Sequence, residues 1–185
     1  MKRIEIRLSG SGGQGLVLAG IILAEAAVRD GLNAVQTQSY GPEARGGASK
    51  SEVVLSDLDI DYPKVIYPDI LLAMTQEACD RYAADLQRDG ILVVDGRMVV
   101  KLPAVQARVY RPEITNLAQE RLGNRVVANM VALGFIVATT GVVSIDSLKS
   151  AVSDRVPRGT QELNLKAVEA GITEAVRWRE NEREN

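Results

Sequence analysis

Ile4-Glu5-Ile6-Arg7-Leu8-Ser9-Gly10-Ser11-Gly12-Gly13-Gln14-Gly15-Leu16-Val17-Leu18 is the stretch that decides the fold. Residues 4–8 alternate apolar and polar, the period of a half-buried strand. Gly10, Gly12 and Gly15 match G-x-G-x-x-G, and residues 16–29 are mostly apolar helix formers, with Gly31 as a C-terminal stop. A strand that passes through a glycine turn straight into a helix is the opening unit of an alternating α/β sheet.

Outward from there the alternation continues. Residues 33–39 read as a second strand and residues 51–55 as a third. Between them, residues 40–47 pack three glycines and a proline into a loop. Residues 57–68 are acidic and rich in turn formers. The apolar run at 70–74 suits a buried parallel strand, followed by a helix over 76–87 that Gly90 ends, a strand over 91–95 and another over 105–110. Helices are expected over 113–122, 126–140, 145–153 and 164–179, with Ser144 as an N-cap and a frayed charged tail from 180. No repeat, linker or domain boundary interrupts residues 1–185. The expected fold is therefore one three-layer, Rossmann-like α/β domain, with a mostly parallel sheet and helices on both faces. In such a sheet the loops after residues 8, 39, 74 and 95 share the carboxyl rim, where ligands bind.

Composition narrows the chemistry. The chain has 185 residues, 46% hydrophobic and 25% charged, enough for a core and not a disordered composition. With 22 basic and 24 acidic residues the net charge is −2, so no polyanion footprint exists and nucleic acid is not an expected partner. There is no histidine, which removes Ser-His and Cys-His machinery and the commonest metal ligand. The single cysteine, Cys79, makes no internal disulfide or CxxC pair and reads as a small buried hydrophobe. No catalytic residue and no metal site are assigned. Residues 1–6 carry a glutamate and lack the long apolar stretch of a signal peptide, and the most apolar run, 130–138, is far short of the ~20 residues that span a bilayer, so a soluble cytoplasmic protein is expected, with no membrane partner.

Four features carry potential function. In the loop Gly10, Ser11, Gly12, Gly13, Gln14 and Gly15, missing side chains let a phosphate or carbonyl reach backbone N–H groups, and the following helix N-terminus favours an anion. Glycines also make tight turns with no ligand. A nicotinamide dinucleotide site wants a carboxylate at the end of the second strand. Gln36-Thr37-Gln38-Ser39-Tyr40 has none there, which disfavours NAD and leaves NADP, through Arg45, as a weaker option. The second feature is the loop from Tyr40 to Lys50, where Gly46 and Gly47 expose backbone donors and Arg45 and Lys50 supply positive charge. The third is Thr75-Gln76-Glu77: Thr75 reads as an N-cap, and Gln76 stands at the right end of the sheet to contact a bound group. Asp95 ends a strand at the same rim without a visible partner. The fourth is the helix containing residues 129–138, apolar on every side, which is either a central core helix or a subunit interface.

Taken together these motifs resemble the gamma subunit of the 2-oxoacid:ferredoxin oxidoreductases, most closely the 2-oxoglutarate branch. The residues that carry the resemblance are the loop 10–15, Gln38-Ser39-Tyr40-Gly41-Pro42-Glu43-Ala44-Arg45-Gly46-Gly47, Asp61-Tyr62-Pro63, Thr75-Gln76-Glu77-Ala78, Asn129-Met130-Val131-Ala132-Leu133-Gly134 and Leu163-Asn164. They span nearly the whole chain, and 40–47 is the most specific part. Position 75 departs slightly, a threonine where serine is commoner, which keeps the hydroxyl. The resemblance implies a complex that decarboxylates a 2-oxoacid on thiamine diphosphate, forms an acyl-coenzyme A and passes two electrons through iron–sulfur clusters to ferredoxin. It implies that thiamine diphosphate, magnesium and the clusters sit on partner subunits (alpha, beta, and in some complexes delta). The gamma domain then contributes assembly surface and coenzyme A contacts, provisionally on Gly10 to Gly15, on Tyr40, Arg45, Gly46, Gly47 and Lys50, and on Gln76. Two readings of other classes stay open: a self-contained NADP- or flavin-binding Rossmann oxidoreductase, and an interaction module that binds no small molecule.

Overall fold

The computed structural model describes residues 3–38 and 48–184. Strand β1 (Ile4–Gly10) leads into helix α1 (Leu16–Arg29), then β2 (Asn33–Gln38), β3 (Ser49–Ser56) and β4 (Ile70–Ala73). Helix α2 (Gln76–Tyr82), β5 (Ile91–Val94), β6 (Arg108–Tyr110) and four helices follow: α3 (Ile114–Leu122), α4 (Ala128–Thr140), α5 (Ile145–Arg155) and α6 (Gln161–Glu184). Among the described residues six strands form one sheet in the order β2-β3-β1-β4-β5-β6. β1, β4, β5 and β6 are mutually parallel, and β3 runs against both β1 and β2. The sheet is thus mostly parallel, as expected, with β3 the reversed member.

Several expected boundaries differ, and β3 begins at Ser49 instead of residue 51, which takes Lys50 from the expected loop into a strand. α2 stops at Tyr82 and gives way to a short 3-10 turn, Ala83–Asp85. Beyond it the chain must turn back to start β5 beside β4, and it does so through Gln87 N–H to the Pro68 carbonyl and Ile91 N–H to the Asp69 carbonyl. Gly90 therefore leads into β5 instead of ending the helix. β6 is only Arg108–Tyr110, shorter than 105–110. α6 begins at Gln161 and continues through the charged tail to Glu184, where fraying was expected. Arg179 donates to the Ala138 carbonyl, so the last turns have a tertiary anchor, and Arg and Glu are good helix formers.

The two faces of the sheet are covered unequally. Ile6, Leu8, Val53, Leu55, Leu72 and Val93 pack under α1, α3, α4, α5 and α6. α4 is buried from Ala128 through Val137, which makes it the central core helix. It lies so close to α6 that a Cβ on Gly134 would stand 2.1 Å from the Val168 carbonyl oxygen, and one on Gly171 2.0 Å from that of Val131. The opposite face carries Leu71, Ala73, Leu92 and Val94 under α2 and Val99. Cys79 is buried there, and burial, with the Asp80 charge adding, pushes its thiol pKa up, as befits an inert packing residue. The same face also buries charge. Arg7 donates to Glu52 at 2.7 Å and to Asp85 at 2.5 Å, and its guanidinium lies 5.2 Å from the centre of the Tyr82 ring. No described helix is long and apolar enough to cross a membrane.

The order of strands places a crevice. From β1 the chain crosses by α1 toward β2 on one side, and from β4 it crosses by α2 toward β5 on the other. Right-handed crossovers in opposite directions put α1 and α2 on opposite faces. The neighbours β1 and β4 therefore form the topological switch point, and the space beyond their carboxyl ends is where an open α/β sheet binds ligands.

Candidate functional site

The glycine loop sits at that switch point. Ser9 pairs with Ala73 and Gly10 with Ser49, so the end of β1 meets the end of β4 on one side and the start of β3 on the other. Gln14 folds back over the loop, and its side-chain carbonyl accepts the Ser11 N–H at 2.8 Å. That return requires glycine at position 10, where a Cβ would stand 2.2 Å from the Gln14 Oε1. Gly15 is the N-cap of α1 in the left-handed region at φ 70°, and its carbonyl accepts from the Asn129 amide at 3.1 Å. Two of the three motif glycines therefore have a reason within the chain itself. Gly13, at φ 84°, has nothing within 4 Å of where a Cβ would be, and Ser11, Gly12 and Gly13 are exposed.

Beside Gly13 lies a cleft of about 270 Å³, lined by Gly13, Gln14, Met74, Thr115, Arg125, Val126 and Ala128. These residues belong to the ends or first turns of four elements: the start of α1, the end of β4, the start of α3 and the start of α4. Three helix N-termini therefore border one cleft; that of α3 is already met by the Asp95 carboxylate, so the partial positive charges of α1 and α4 are what favour an anion there. Arg125 adds a full charge. It sits on a 3-10 turn, Arg125–Val127, fixed by Asn124, whose side-chain oxygen accepts the Val126 N–H at 3.0 Å. Among the described residues the exposed Arg125 side chain makes no hydrogen bond or ion pair, while Val126 beside it offers an exposed apolar surface. Sequence reading missed Arg125 because its proximity to the glycine loop depends on α4 packing against α1. The available signal was Asn124, an N-cap residue just ahead of an apolar run, which marks a helix start and hence a rim position.

Other expected site residues lie elsewhere or are engaged. Tyr40, Arg45, Gly46 and Gly47 fall outside the described residues. Lys50 begins at the correct rim, but on β3 it shares the α2 face with Glu52, to which it is paired at 2.9 Å, and it lies 5.8 Å from the Tyr82 ring centre. It is not brought to the cleft. Gln76, expected to reach a bound group, has both ends of its amide occupied: its oxygen accepts from Val100 N–H and Lys101 N–H, each at 3.0 Å, and its nitrogen donates to Asp80 and to the Lys101 carbonyl, each at 2.8 Å. It clamps the 96–101 turn to α2. Thr75 caps α2 as expected, accepting from Ala78 N–H at 3.3 Å. Asp95 has the partner that the sequence did not reveal: fully buried, it accepts the Thr115 N–H at 2.8 Å and the Thr115 hydroxyl, capping α3.

Comparison with known proteins shows the family and the fold. A family model described as "Pyruvate ferredoxin/flavodoxin oxidoreductase" matches residues 5–174. The 2-oxoglutarate synthase subunit KorC of Methanothermobacter thermautotrophicus is 53% identical over 176 residues, 91% of this chain and 93% of that one. A crystal structure of a keto/oxoacid ferredoxin oxidoreductase gamma subunit from Geobacter sulfurreducens superposes with a TM-score of 0.86 at 53% identity, covering 94% of this chain and 98% of that one. A 2-oxoglutarate:ferredoxin oxidoreductase from Magnetococcus marinus, with 2-oxoglutarate, coenzyme A and succinyl-CoA bound, reaches a TM-score of 0.83 over 95% of this chain and 31% of that one. At 23% identity that last likeness concerns the fold.

Proposed function

The chain belongs to the pyruvate ferredoxin/flavodoxin oxidoreductase family, and from that premise we propose that it is the gamma subunit of a 2-oxoglutarate:ferredoxin oxidoreductase. Residues 1–185 form one gamma-type domain that contributes coenzyme A contacts and assembly surface to a cytoplasmic complex. The observation that carries the reading is the cleft at the switch point, where the N-termini of α1 and α4 and the Arg125 side chain, unpaired among the described residues, meet the open backbone at Gly13. Coenzyme A has a pyrophosphate and a ribose phosphate, and it needs N–H donors and fixed positive charge of this kind. Arg125 takes a phosphate oxygen, the exposed N–H groups of residues 12 and 13 take others, and Met74 and Val126 give the uncharged arm an apolar wall. Tyr40, Arg45, Gly46 and Gly47, outside the described residues, are proposed as further coenzyme A contacts on their chemistry alone, whereas Lys50 and Gln76 stay in their own bonds.

The remaining chemistry belongs to partner chains. With one cysteine, buried, and no histidine, this chain has no donor set for an iron–sulfur cluster. Thiamine diphosphate with magnesium, on alpha and beta subunits, supplies the carbanion chemistry of decarboxylation, and clusters take two electrons to ferredoxin. This chain's own residues hold the thiol carrier and do not touch the 2-oxoacid.

One observation favours a second reading. Gly10 and Gly15 are each explained by an internal contact, to Gln14 and Asn129, so the loop could be an assembly joint that binds no small molecule. The test is steady-state kinetics of the assembled complex. Arg125→Ala should raise the KM for coenzyme A about tenfold, the worth of one charge-assisted hydrogen bond, with the KM for the 2-oxoacid unchanged. The isolated chain should show no turnover. An unchanged coenzyme A KM together with no coenzyme A effect on the melting temperature would select the assembly joint. Protection by NADPH would select a self-contained dehydrogenase, against which stand the glutamines, not carboxylates, at the end of β2.

A further inference from the structure

Exposed apolar side chains gather at the end of the sheet opposite the cleft. The 57–68 connection leaves the carboxyl end of the reversed strand β3, so it lies at the amino ends of the parallel strands. On it Leu58 is 74% exposed, Tyr62 50%, Ile66 51% and Tyr67 59%. Lone exposed apolar residues are ordinary, but four large ones within one short connection mark an interaction surface. The segment is also anchored. Ile66 N–H donates to the Glu5 carboxylate at 2.9 Å, Arg3 donates to the Lys64 carbonyl at 3.1 Å, and the Pro68 carbonyl accepts from Gln87 N–H at 2.9 Å. Val65 and Pro68 are buried beneath it. A fixed backbone that holds tyrosine and aliphatic side chains toward water is preorganised for association, since little freedom remains to be lost. Tyrosine is moreover enriched among the residues that dominate binding energy. Between the apolar side chains stand the exposed Asp57, Asp59 and Asp61, against Lys64 alone.

We propose that this loop docks another subunit of the oxidoreductase, one that meets it with an apolar patch rimmed by lysine or arginine. The proposal rests on the subunit reading above. A second copy of this chain is a poor occupant: two such loops face to face would set Asp59 and Asp61 against their own kind, like charges that weaken association. Joining the loop to the basic rim at Arg97 and Lys101 would make a head-to-tail contact, which builds rings or filaments and not a two-fold pair.

The test uses the full chain and the separately prepared remaining subunits. Tyr62→Glu with Tyr67→Glu should melt like the wild type yet bind those subunits at least about thirtyfold more weakly, the scale of a lost hot spot. Asp59→Lys with Asp61→Lys should slow association and reduce its dependence on salt. If the wild type binds the subunits and both variants bind equally well, the loop assignment falls while the subunit reading stands. If the wild type binds none of them, the subunit reading itself falls. A homodimer in sedimentation that the tyrosine variant dissociates would replace the partner subunit with a second copy and overturn the proposal.

Discussion

The two faces of the sheet solve the same packing problem by different means. Under α1, α3, α4, α5 and α6 the core is dry and apolar, and its special feature is backbone proximity at Gly134 and Gly171. Under α2 the cover is thinner, and the sheet buries Arg7 and Glu52 as an ion pair beside Tyr82. Hydrophobic burial is non-directional and gives the first face its stability. A buried ion pair gains little net stability against a well-packed apolar pair, but breaking it is costly. The lesson is that the first face holds the fold together and the second fixes one arrangement of α2, β1 and β3.

The sharpest way to break this contrast is Arg7→Ala, which leaves Glu52 buried with Lys50 as its remaining partner. A loss of about 3 kcal/mol in urea unfolding is expected. A cost below about 1 kcal/mol would mean that the α2 face is wetter than described. Arg7→Met combined with Glu52→Leu should recover most of that loss, because both charges leave together. On the first face, Gly134→Ala must push α4 from α6 against a backbone oxygen that cannot rotate away, and about 2–3 kcal/mol is expected. Equal stability there would show that the two helices slide freely.

The smallest effect concerns acid. Asp30, at the end of α1, accepts hydrogen bonds from the Ser144 N–H and hydroxyl and from the Ser147 hydroxyl, joining α1 to α5. Burial pushes its pKa up, but these bonds outweigh it and hold the carboxyl below its ordinary value. Glu25 moves the same way: burial raises it, and Arg155 and Arg29 overcome that. A depressed folded-state pKa means that the stabilisation is complete above the unfolded value of about 4 and is lost as pH falls through the folded one. Thermal melts should therefore fall in temperature on acidification below about pH 4, and Asp30→Asn should flatten that slope while leaving the Arg7 contrast intact.

Much of this molecule is legible in the chain itself. The strand, glycine turn and helix at 4–29 are local, and so their period and punctuation were sufficient. The orientation of β3 was not legible: its link to β2 is long and lacks the short turn that announces a hairpin. Gly90 read as a helix stop because glycine punctuates both helix ends and strand approaches, and only the bonds of Gln87 and Ile91 distinguish them. At the site, Gly13 and Gln14 were found by motif, but Arg125 and Thr115 arrive from more than a hundred residues away through the packing of α3 and α4. Lys50 is a local case. Residues two apart on a strand share a face, but the expected strand began at residue 51 and left Lys50 in the loop; only the start of β3 at Ser49 sets it beside Glu52.

One consequence follows from the way Gln14 closes over Ser11. A phosphate oxygen arriving at that amide finds a sprung latch and not a bare hook: it exchanges one hydrogen bond for another, and the freed carboxamide turns out into water. The net gain from that donor is small, so in the proposed reading the attraction comes from Arg125, the amides of residues 12 and 13 and the nearby helix ends. On the coenzyme A reading proposed above, such a seat would hold moderately and release readily, which suits a carrier that must leave loaded after every cycle.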